Sequence, residues 1–79
     1  MANDEHVAKL REGAAVWNKW WNAHPKTIPD FRKADLKGAD LSDVILHGVD
    51  LFKANLIHAD LRNANLARAD LYDASLGNL

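Results

Sequence analysis

The chain has 79 residues, ten Lys plus Arg against eleven Asp plus Glu, and no cysteine. That length allows one small domain whose core is marginal without outside support, and neither disulfides nor thiolate metal sites supply it. The near-neutral charge argues against a nucleic-acid binder, which carries a clustered basic excess, and no apolar run is long enough to span a bilayer.

The first residues, MANDEH, are polar and acidic, unlike a secretory or transit segment, so a cytoplasmic location is expected. Asn3 or Asp4 suits a helix N-cap, and Asp4 and Glu5 suit the positive end of a helix dipole. Val7, Leu10, Ala14, Trp17 and Trp21 then follow at spacings of three and four. At about 100° per residue they fall within an arc of about 80°, one buried stripe. Val16 and Trp20 form a neighbouring strip. The pattern predicts one helix from Asp4 to Asn22, with Gly13 costing roughly 1 kcal/mol relative to Ala. Pro25 and Pro29 make the next stretch an extended connector. The chain therefore divides into 1–28, a capping helix with its connector, and 29–79.

From Pro29 the sequence repeats every five residues: PDFRK, ADLKG, ADLSD, VILHG, VDLFK, ANLIH, ADLRN, ANLAR, ADLYD, ASLGN, then Leu79. Phe31 and then an unbroken series from Leu36 to Leu76 hold the middle position. Two residues earlier stands Ala or Val in every block except the first, which has Pro29. An α-helix fails this period, because five residues advance about 140° beyond a full turn and scatter the leucines over every face. A continuous strand fails as well, since an odd period sends successive leucines to opposite sides. A short extended piece followed by a turn satisfies both. The small residue and the leucine point inward together, and the backbone turns over the next two residues, as at Lys37-Gly38, Ser42-Asp43, Arg62-Asn63 and Gly77-Asn78. Turns of one hand wind the chain into stacked coils, none of which can bury its apolar face alone.

These blocks resemble the pentapeptide-repeat family, with its A-[DN]-L-x-x pattern, over Pro29 to Leu79; Ile45 and Ser75 depart from the Asp or Asn position. The segment with Gly13, Ala14, Val16-Trp17-Asn18, Trp20, Pro25 and Pro29-Asp30 is similar to a leader found before such repeats in bacterial proteins. The resemblance implies an all-β solenoid: a right-handed quadrilateral β-helix of about two and a half coils, four blocks to a coil, capped by the N-terminal α-helix. It also implies a non-catalytic module for structure or protein interaction. Several relatives continue into a C-terminal effector or signalling domain, TIR-like in some.

Each candidate chemistry is weak on spacing. His6, His24, His47 and His58 contain no close metal-binding pair, so neither a metal nor a cofactor is expected. The Asp30, Asp50 and Asp70 column and the Asp40, Asp60 column occupy the standard outward position on a convex surface, without a cleft for acid–base work. The alternative function implied by the family is DNA mimicry toward a type II topoisomerase. That demands a long, strongly negative rod, whereas 29–79 holds eight Asp against six Lys plus Arg. Phe52, Ile57 and Tyr72 place apolar groups at an outward position; they form a contact patch or lie under the N-terminal helix. The Val7, Leu10, Ala14, Trp17 and Trp21 stripe is expected to cover the first coil, with nothing equivalent over Leu76 and Leu79. A homodimer through the C-terminal coil is the expected partnership, with no membrane and no nucleic acid.

Overall fold

The structure is a computed structural model that describes residues 3–76. Helix α1 spans Asp4–Arg11 and α2 spans Ala14–Ala23. The Asn3 side chain caps α1 by accepting from the Glu5 and His6 N–H groups at 2.9 and 3.2 Å. The single helix expected from Asp4 to Asn22 is thus two. Glu12 and Gly13 break it, with Gly13 at φ 102°, in the region where a side chain is strained. The break lets both halves lay an apolar face on the same core: Leu10 from α1 and Trp17 from α2 are both fully buried.

Expecting an all-β solenoid, a right-handed β-helix, requires correction. Among the described residues the only runs of regular secondary structure are these two helices, within 4–23, and there is no β-strand or sheet. Backbone pairing in the repeats is confined to isolated parallel bridges, such as Asp30 with Asp50, Asp35 with Asn55 and Asp50 with Asp70. The five-residue period explains this. Each extended piece ends in a turn before a second consecutive residue can pair, so no ladder develops.

The bridges nevertheless join residues twenty apart in sequence, so the chain winds through four blocks before returning above itself. Three hydrogen-bond series hold successive windings together. A leucine-position N–H reaches the carbonyl nineteen residues on, as Leu36 to Asn55 at 2.9 Å and Leu41 to Asp60 at 2.8 Å. The last turn residue does likewise, as Lys53 to Tyr72 at 2.9 Å, and an Asn or Asp N–H returns one bond, as Asn55 to Ala34 at 2.9 Å.

Each corner closes with the small residue's N–H bonded to the preceding Leu or Phe carbonyl, as Ala34 to Phe31 at 3.0 Å. The third residue of the turn has φ near +60°: Gly38 and Gly48 take it freely, but Lys33, Asp43, Lys53, His58, Asn63, Arg68 and Asp73 take it too. Non-glycine residues there cost roughly 1–2 kcal/mol each. Where an Asp or Asn precedes the leucine it offsets part of that cost, its carboxylate or amide oxygen accepting the N–H two residues on: Asp35 from Lys37, Asn55 from Ile57, Asp70 from Tyr72.

Inside, Phe31 and the leucines from Leu36 to Leu56 are fully buried with Val44, Val49 and Ala54. From Leu61 onward the same positions are only half-buried. The Gly77-Asn78 turn and Leu79 lie outside the described residues.

Candidate interaction surfaces

Three surfaces emerge: the winding edge under the helices, the opposite edge near the C-terminus, and an aromatic column on one side.

At the first edge, the expected cap stripe lies on the winding. Leu10 and Trp17 are fully buried, and Val7, Ala14 and Trp21 are partly buried against the same core. Trp17 stands 5.5 Å from Phe31, ring centre to ring centre, and 5.0 Å from Trp20. Trp20 also joins this core, whereas Val16 from the same neighbouring strip is exposed.

Polar groups of the helices meet backbone that the repeats leave open. The Trp17 indole N–H donates to the Ile45 carbonyl at 2.8 Å. The Asn18 side chain accepts from the Ile45 N–H at 2.8 Å and donates to the Asp43 carbonyl at 3.0 Å. An Arg11 guanidinium N–H donates to the Asp35 carbonyl at 2.8 Å, and the Asn3 backbone N–H to the Asp30 carbonyl at 2.9 Å. One winding later, the matching carbonyls of Asp50, Asn55 and Asn65 accept from Phe31, Leu36 and Leu46. Helix groups therefore occupy positions that a preceding winding would fill.

Sequence reasoning found Trp17 through its apolar spacing and missed Arg11, Asn18 and Asn3 in this role. A signal existed at Asn18, a poor helix former inside a helix and next to the buried stripe. Ile45, which departs from the repeat, lies at this contact. Its N–H and carbonyl are held by Asn18 and Trp17, and its half-buried side chain stands where other blocks carry a turn-bracing Asp or Asn.

At the C-terminal edge, Leu61, Leu66, Leu71 and Leu76 are partly buried apolar residues. The N–H groups of Leu61, Asn63, Leu66, Arg68, Leu71 and Asp73 have no backbone acceptor among the described residues. Their counterparts one winding earlier, such as Leu41, Asp43, Leu46 and Leu51, are all bonded.

On the side, Phe52 and Tyr72 stack nearly parallel, 5.8 Å apart at an interplanar angle of 7°. The Lys53 ammonium sits 5.3 Å from the Phe52 ring centre, a cation–π arrangement. Phe52 and Ile57 are half-buried, while Tyr72 is 67% exposed, so intrachain cover does not extend to it.

The acidic columns do not form a reactive cluster. Asp30 accepts from the Arg32 guanidinium at 2.9 Å and from its backbone N–H at 3.0 Å, which hold its carboxyl down at about 2. Asp60 is lowered by the same pairing with Arg62, and Asp40 by hydrogen bonds from the Ser42 hydroxyl and N–H. These carboxyls are spent on their own turns. Among the described residues, no group of three or more His, Cys, Asp or Glu side chains could hold a metal ion.

The five-residue blocks, their braced corners and their shared core define a repeat module. A family model described as pentapeptide repeats matches residues 30–48 and 50–78, in eight copies. The chain belongs to the pentapeptide-repeat family. Proteins of this family are typically non-catalytic structural modules. No curated protein and no solved structure matches the chain. No helix among the described residues is long and apolar enough to cross a membrane.

Proposed function

We propose that this chain is a protein-interaction module of the cytoplasm that self-associates through its C-terminal winding, described over 61–76, while α1 and α2 serve as the cap of the first. The observation that carries the reading is the contrast between the edges. One is covered by apolar side chains and hydrogen-bonded by helix groups. The other leaves Leu61, Leu66, Leu71 and Leu76 half-buried above open backbone N–H groups. Burying each leucine fully is worth up to roughly 1.5–3 kcal/mol, and the N–H groups gain acceptors at the same time. A two-fold pairing of the same edge buries the leucines, meets the N–H groups in a register different from that between windings, and closes as a homodimer. In a longer signalling or effector protein, a following domain could take the same face.

DNA mimicry draws no support from the acidic columns, because Arg32 and Arg62 pair with Asp30 and Asp60 and reduce the negative potential that such mimicry needs. Phe52 and Tyr72, stacked and partly open, are a second contact candidate on the side.

Sedimentation equilibrium of wild type and Leu76→Asp tests the proposal. The account expects a dimer that the substitution shifts to monomer while the Leu41 and Leu51 amides stay protected. A wild-type monomer at every concentration would contradict it.

A further inference from the structure

The two edges of the winding are complementary to each other, not merely different. Every junction between windings within the chain uses the same code: leucine-position N–H groups meet Asp-, Asn- or Ser-position carbonyls, as in Leu51 to Asp70 at 2.8 Å, and turn N–H groups meet the carbonyl of the first turn residue, as in Lys53 to Tyr72 at 2.9 Å. The C-terminal edge presents the donor half, at Leu61, Leu66 and Leu71 and at the turn residues Asn63, Arg68 and Asp73. The N-terminal edge carries the acceptor half, at the carbonyls of Asp30, Asp35 and Ile45, where Asn3, Arg11 and Trp17 now donate. Asn18 adds the return bond, its side-chain oxygen taking the Ile45 N–H in place of an alanine-position carbonyl.

We propose that the helical pair is a plug against head-to-tail stacking: the edge it covers fits the C-terminal edge of a second copy of this chain. A donor edge meeting an acceptor edge is a heterologous contact. It does not close, and each added copy exposes a fresh edge, so an uncovered chain grows into rods. This head-to-tail contact repeats the register that already joins windings inside the chain, whereas a two-fold contact of two C-terminal edges must find another pairing. Plugging one edge limits the chain to finite assemblies. The plug is built from a separate N-terminal segment, so it can be lifted without altering a single repeat.

The test uses Trp17→Asp, which puts a charge against the apolar core and displaces the helices, with protection of the Leu41 and Leu51 amides as the check that the winding persists. The variant should form elongated assemblies whose sedimentation coefficient rises with concentration, and adding Leu71→Asp at the donor edge should abolish them. Wild type retains a donor edge but a plugged acceptor edge. At about one tenth molar ratio it should therefore shorten the rods by terminating one end, which it cannot do to a nonspecific aggregate. A protected winding that stays monomeric or dimeric overturns the proposal, as do assemblies whose length wild type leaves unchanged. If Trp17→Asp unravels the winding, Arg11→Ala with Asn18→Ala decides instead, since it loosens the plug and keeps Trp17. That variant should then associate beyond the wild-type size, and a size distribution identical to wild type overturns the proposal.

Discussion

The first winding, 29–48, and the last described one, 61–76, are built from the same blocks and end in different physical states. Leu36, Leu41 and Leu46 are fully buried; Leu61, Leu66 and Leu71 are not. Nothing in the ADLKG and ADLYD blocks themselves accounts for the difference. Burial in a repeat chain comes from what lies on either side, so a leucine's contribution is set by its neighbours rather than by its own block. The helices give the first winding that neighbour, and they also supply the backbone bonds that a leucine-rich cover alone would not.

The most damaging break in this comparison removes the neighbour. Trp17→Ala should cost about 3–5 kcal/mol, because it deletes a fully buried indole and leaves the Ile45 carbonyl without its donor. In a domain this small that is a large share of the stability, and the urea midpoint is expected to fall clearly. Melting behaviour like that of wild type would mean that the helices are not the cap.

A matched pair sharpens it next. Leu41→Ala should cost about 2–5 kcal/mol, the range for a buried leucine, and Leu71→Ala should cost clearly less at protein concentrations too low for association. Equal losses in chemical denaturation would show that position in the winding does not matter.

Gly13→Ala addresses the joint between the helices. An added Cβ would meet nothing within 4 Å, so the loss comes from the positive φ alone and should be about 1–3 kcal/mol. Thermal melting checks this, and an unchanged midpoint would point to a helix able to run through without the break.

The smallest effect is that of pH. Asp30 is held at about 2 by hydrogen bonds from the Arg32 side chain and backbone, below its ordinary 3.8. A depressed carboxyl contributes stability that is fully present above its unfolded value and is lost as pH falls through the folded one. Stability should therefore decline from about pH 4 toward 2, and Asp30→Asn should flatten that decline. Because the pair is largely exposed, the change is small.

The inward positions of the repeats were legible from the five-residue period, because Ala or Val and Leu two apart must share a face. The winding pitch of four blocks came from the family resemblance instead. Its regular secondary structure was not legible in either: a period that forces a turn after each short piece also prevents strands from developing, and bridges replaced the expected sheet. The apolar half of the helix surface facing the winding could be read from the spacing of Leu10, Trp17 and Trp21. Its polar half could not, since Arg11 and Asn18 look like ordinary helix-surface residues until backbone groups of Asp35, Asp43 and Ile45 are brought beside them. Gly13 was visible as a weak point, though only the fold shows that it becomes a joint between two helices.

Amide hydrogen exchange at two protein concentrations tests the central contrast most directly. The Leu41, Leu46 and Leu51 amides, each bonded to the next winding, should be protected throughout. In dilute solution the Leu61, Leu66 and Leu71 amides should exchange quickly, and they should gain protection as concentration rises and the C-terminal edge is covered. Strong protection of all six at every dilution, or rapid exchange of the last three at every concentration, would contradict the account.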